Sequence, residues 1–169
     1  MSRASPELLG RLLDEHGAAL VLYAQQWCET PEDVVQEAFL ALVRQAALPE
    51  NLVAWLYRVV RNEALSASRS SGRRARREAA AAHAGEPWFE PREGERLDAA
   101  AATRALERLP IDQREIIVAR LWGGLSFDQI AELTGSPKST VHRWYERGLA
   151  TLRERLGICP QKKKTGSTT

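Results

Sequence analysis

The stretch LSFDQIAELTGSPKSTVHRWYERGLATLRERL, residues 125 to 156, constrains the fold more than any other part of the chain. It reads as two helices joined by a glycine turn. The start of the first is specified twice: Ser126 and Gln129 form a capping box, while Leu125 and Ile130 stand where a hydrophobic staple closes. Gly135 supplies the left-handed stop. Ser136 is then expected as N-cap of the second helix, with Pro137 at its first helical position. This is the pattern of a DNA-reading helix-turn-helix.

Along the second helix, Val141, Tyr145, Gly148, Leu149, Leu152 and Leu156 recur at spacings of three and four and are expected to face inward. The opposite face carries Lys138, Ser139, His142, Arg143, Glu146 and Arg147. The first turns of a recognition helix reach base edges in the major groove, and later cations hold phosphates. Lys138, Ser139, Thr140, His142 and Arg143 are therefore candidates for the bases, and Arg147 for the backbone. The competing reading is an amphipathic helix with a solvated basic face.

In the 124 residues before it helix signals also dominate, with strand signals absent. Ser5-Pro6-Glu7 caps a first helix expected from Pro6 to Trp27, striped by Leu8, Leu9, Leu12, Leu13, Leu20 and Tyr23. Thr30-Pro31-Glu32-Asp33 caps a second, whose inward stripe is Val34, Val35, Ala38, Phe39 and Leu42. Leu48-Pro49-Glu50-Asn51 breaks it. A third carries Leu52, Trp55, Leu56, Val59, Val60 and Leu65, and is expected to fade in the Ser- and Arg-rich stretch 66–77. Residues 78–98, EAAAAHAGEPWFEPREGERLD, are alanine, glycine, proline and acid and read as a linker. Trp88 and Phe89 are its odd element. Helical pattern resumes near Leu97, restarts at Pro110 and stops at Gly123-Gly124. Residues 158–169 read as a disordered tail.

The fold class implied is all-α: two small helical domains, 1–77 and 99–157, around the linker 78–98. Each has a size that buries only about 60% of its unfolded surface, so docking on something larger is expected to help both. No segment reaches the roughly 20 apolar residues of a membrane span, no secretory signal is visible, and a cytoplasmic location is expected. Net charge is only +2, but it comes in blocks: Arg69, Arg73, Arg74, Arg76 and Arg77 precede the acidic linker. Cys28 and Cys159 are solitary, and His16, His83 and His142 are isolated. No metal, cofactor or catalytic motif is therefore expected, and the chain does not read as an enzyme.

Two segments, Asp33-Val34-Val35-Gln36-Glu37-Ala38-Phe39-Leu40 and Trp55-Leu56-Tyr57-Arg58-Val59-Val60-Arg61-Asn62, closely resemble regions 2.2 and 2.3 of bacterial extracytoplasmic-function sigma factors. Leu109-Pro110-x-x-x-Arg114-Glu115, Leu125-Ser126-x-x-x-Ile130-Ala131 and Val141-x-x-x-x-x-Arg147-Gly148-x-x-x-Leu152 resemble region 4 of the same family. The resemblance spans residues 6 to 157 in order. It implies that Asp33, Gln36, Glu37 and Arg44 face the clamp of core RNA polymerase. It also implies that the loop from Ala46 through Glu50 and Asn51, with Arg58 and Asn62, reads the promoter's −10 element as a single strand. An amide that both donates and accepts suits an extruded base. Arg69, Arg73 and Arg74 would meet upstream DNA, and Lys138 through Arg147 the −35 duplex. Partners implied are core polymerase, promoter DNA and an anti-sigma factor, with no membrane. Family members often carry aspartate where Ser66 stands and arginine where Trp144 stands. The alternative is a stand-alone helix-turn-helix operator binder. It accounts for residues 109 to 156 and leaves 30 to 77 unexplained; it would usually dimerise, and no heptad seam is visible.

Overall fold

The computed structural model describes residues 4–78 and 96–157, with side chains at 4–70 and 101–157. Among the described residues there are seven helices and no strand. Helix α1 runs Pro6–Ala24, and the Ser5 hydroxyl accepts from the Leu8 amide at 3.3 Å, as a capping serine should. It stops three residues before Trp27. The Gln26 and Trp27 amides already bond three residues back, to Tyr23 and Ala24, which tightens the chain into a turn. Helix α2, Pro31–Val43, starts without a side-chain bond from Thr30, so Pro31 and the dipole-matched Glu32 and Asp33 define that end.

Helix α3 is Leu52–Glu78. Asn51 caps it, its Oδ1 accepting from the Ala54 amide at 2.9 Å. The expected fading at 66–77 does not occur. Alanine and arginine dominate the end of that stretch, and both are strong helix formers. In the C-terminal half, α4 is Arg96–Glu107, α5 Ile111–Leu121, α6 Phe127–Thr134 and α7 Lys138–Arg155. The linker reading at 78–98 falls mostly on residues 79–95, and the tail on 158–169; both lie outside the described residues.

α1, α2 and α3 pack on one another around Leu12, Leu20, Val34, Val35, Ala38, Leu42, Leu56 and Val60. Of the predicted core positions, Leu13 is 52% exposed, and Phe39, like Leu8, Leu9, Trp55 and Val59, is half-buried; α1 and α2 leave an apolar groove between Leu9, Leu13, Phe39, Leu40 and Val43 that no other helix among the described residues fills. In the C-terminal half α5 packs on α7, with α4 laid across α7 around Leu106, Leu109, Ile117 and Leu152. Gly148 permits the α5–α7 approach: a Cβ there would stand 2.5 Å from Ile117 Cδ1. Leu156, predicted inward, lies at the end of α7 and is 36% exposed.

The two halves share one core. Ile116, Val118, Ala119, Leu125 and Ile130 of the second are continuous with Tyr23, Leu56 and Tyr57 of the first. Gly123 makes the fit possible, since a Cβ there would meet Tyr57 Oη at 2.6 Å and the Ala119 carbonyl oxygen at 2.5 Å. The support that each small domain needs thus comes first from its neighbour. None of the helices among the described residues is long and apolar enough to cross a membrane.

Candidate nucleic-acid interface

The helix-turn-helix is α6, the Gly135 turn and α7. Both capping-box bonds are present: the Gln129 amide donates to Ser126 Oγ at 3.2 Å, and the Ser126 amide to Gln129 Oε1 at 2.8 Å. Gly135 sits at φ 68°, in the left-handed region. The start of α7 differs from expectation by one residue. Pro137 is the N-cap, in place of Ser136, because its ψ of 142° is extended and only its carbonyl enters the helix, accepting from the Thr140 and Val141 amides. Lys138, Ser139 and Thr140 therefore form the first turn.

On α7, Lys138, Ser139, Arg143 and Arg147 are exposed, while Thr140 and His142 are half-buried. Lys138 Nζ sits 2.8 and 2.9 Å from the two carboxylate oxygens of Asp128. The His142 ring lies on Phe127, centroids 3.9 Å apart, and Phe127 also meets Tyr145 edge-on and carries the Arg120 guanidinium at 4.7 Å. Trp144 is half-buried and packs on the shared core. The residue standing where relatives carry arginine is thus a packing residue.

On the N-terminal half, Asp33, Gln36 and Glu37 are exposed on α2, and Arg44 is exposed at its C-cap. Asp33 and Glu37 border a shallow depression against Glu63, Ser66 and Ser70 of α3, whereas Gln36 edges the apolar groove. Of the expected −10 group, Glu50, Arg58, Asn62 and Arg69 are exposed. Asn51 is exposed too, but its side-chain oxygen is engaged in capping α3. Arg73 and Arg74 belong to α3, and their side chains lie outside the described residues, as do Trp88 and Phe89.

Sequence reasoning passed over Glu115 except as part of a motif. It is 4% exposed, and its Oε1 accepts from the Tyr23 hydroxyl at 2.6 Å and from Arg61 Nε at 2.6 Å. Tyr23 lies edge-on to Trp27 and Tyr57, and Arg61 stands 6.0 Å from the Trp27 ring centre. Burial, and then the Glu115 charge, push the Tyr23 phenol well above its usual range. For Arg61, burial pulls the guanidinium down, but the bond and charge of Glu115 more than offset it, so the cation is held more firmly than usual. A second ion pair crosses the halves, Arg58 to Glu132 of α6 at 3.9 Å. The partners of Glu115 lie 92 and 54 positions away, and no local pattern links them.

Known proteins match in both halves. The profile of sigma-70 region 2 matches residues 12–74 and that of sigma-70 region 4 matches residues 99–152, together more than half of the chain. Among solved structures, the chain is similar to the sigma factor RpoE of Bartonella quintana, determined in complex with the anti-sigma factor NepR. The TM-score is 0.75 at 26% identity, over 92% of this chain and 100% of that one. It also shares its fold with CnrH, determined in complex with the cytosolic domain of CnrY: TM-score 0.61 at 23% identity, over 92% of each chain. No curated protein matches the sequence. With a region 2 bundle, a region 4 helix-turn-helix and that order along the chain, the protein belongs to the sigma-70 family as an extracytoplasmic-function sigma factor, a factor that directs promoter-specific transcription.

Proposed function

We propose that residues 1–77 bind core RNA polymerase and capture the melted −10 element, and that residues 99–157 hold the −35 duplex, with 78–98 as the connector. The observation that carries this reading is the separation of surfaces. An exposed polar face on α2, an exposed cationic and amide face on α3 and an exposed basic face on α7 stand on three different helices. Asp33, Gln36, Glu37 and Arg44 are assigned to polymerase. Arg58 and Asn62 are assigned to the single strand, with Glu50 and Asn51 of the adjoining loop and Arg69, Arg73 and Arg74 farther along α3. Lys138, Ser139, Thr140, His142 and Arg143 are assigned to −35 bases, and Arg147 to phosphate. The factor works by binding and positioning, in the cytoplasm. The relative solved with the anti-sigma factor NepR supports an anti-sigma factor as its regulator.

Promoter binding by the protein alone, compared with protein plus core polymerase, tests this function. Tight, sequence-specific binding is expected only with core. The same binding without core would favour a stand-alone operator-binding regulator.

A further inference from the structure

Two ion pairs join the halves on one pattern. α3 supplies both cations, Arg58 and Arg61, and the C-terminal half supplies both anions, Glu132 and Glu115. Arg61 and Asn62 stand three and four positions after Arg58, so both neighbour it on one side of α3. We infer that Arg61 is a further nucleic-acid contact residue, and that Glu115 and Glu132 stand in the free chain where phosphates of the single strand lie once the halves part. The inference rests on the proposed −10 role of that face.

Three features support it. A guanidinium pairs with carboxylate and phosphate through the same fork of donors, so one anion can replace the other without changing the arginine. Glu115 is fixed in place: the Tyr23 hydroxyl holds the same oxygen that Arg61 meets, and the carboxylate is 5% exposed while Arg61 keeps 25% exposure. Arg61 also stands against Trp27, which is half-buried on the first half itself and would stay beside Arg61 when α5 leaves. Aromatic rings beside arginines are what unstacked bases use as a platform. The C-terminal half thus imitates a strand of nucleic acid on the surface meant to receive one.

The test uses the full-length chain and a labelled single-stranded DNA of mixed sequence, titrated over a salt series. E115Q/E132Q is expected to bind about 10-fold tighter than wild type. The slope of log K against log salt should steepen by about 1.4, from two freed cations at about 0.7 each on a single strand. E132Q alone, a change at a surface residue that does not endanger the fold, should give about half of that steepening. D14N/E154Q removes two exposed acids elsewhere and should change binding less than about twofold; an equal gain there overturns the masking. R61Q/E115Q/E132Q, compared with E115Q/E132Q, removes both members of the buried pair, leaves no orphaned charge there and should lose the Arg61 share of the steepening, about 0.7; an undiminished slope overturns the assignment of Arg61. In the holoenzyme, R58A and N62A should each slow promoter opening, as should R61Q/E115Q. If only the last is without effect, the Arg61 assignment falls alone. If none has an effect, the −10 reading of the face falls with it.

Discussion

Arg143 projects from the exposed side of α7, one turn beyond the first. Arg143→Ala is expected to relax preference at one or two base pairs, costing about 1 to 3 kcal/mol if the contact is bidentate. Binding to a panel of −35 duplexes with single substitutions checks this, and an equal loss on every duplex would make it a phosphate contact. Its neighbours are less free. His142 lies tilted against Phe127 and Lys138 is paired with Asp128, so α6 orients two of the candidate readers. The exposed face of α7 was legible from residue spacing. These cross-helix contacts were not, because spacing says which side of a helix a residue occupies and nothing about its neighbour on the next.

At the scale of elements, local chemistry explains most boundaries. The capping box of α6 and the left-handed Gly135 were both written in consecutive residues, and both are present. Ser126→Ala removes an acceptor for the Gln129 amide and should lower stability by about 1 kcal/mol, measured by denaturant unfolding. The misplaced features have equally local causes. Pro137 stays extended in ψ and delays α7 by one residue, and the arginine-rich end of α3 continues as helix. For α2, Asp33→Lys with Glu37→Lys is expected to abolish core-polymerase binding while leaving the helical circular-dichroism spectrum unchanged, since both side chains are exposed. Unchanged affinity would place the interface elsewhere.

At the scale of the whole molecule, the closed arrangement has a geometric consequence. α6 lies against both α3 and α7, so the two DNA-reading faces are separated by about two helix spacings, roughly 20 Å. Promoter elements some 25 base pairs apart lie about 85 Å apart along duplex DNA. If the two proposed faces hold both elements at once, the halves must part. Gly123→Ala would place a methyl against Tyr57 and the Ala119 carbonyl, so it is expected to shift the free chain toward the parted form. X-ray scattering should show a larger radius of gyration, and an unchanged radius would show that Gly123 does not govern closure. Alkaline pH should act in the same direction. The Tyr23 phenol is raised when buried against Glu115, so its contribution is complete below the ordinary tyrosine range, about 10, and is lost as pH rises above it. Tyr23→Phe should flatten that pH dependence of the scattering curve.

The all-α class, the helix-turn-helix and the outward faces of α2 and α7 were determined by the sequence alone, because caps, turns and apolar periodicity act within a few residues of one another. The same residues carried the family resemblance. Tertiary structure decided that the two small halves close into one core, that Trp144 packs inward, and that Glu115 is claimed by Tyr23 and Arg61. Those outcomes depend on shape and on charges brought together from distant positions. A buried carboxylate needs its partners in space, and nothing in the neighbouring residues names them.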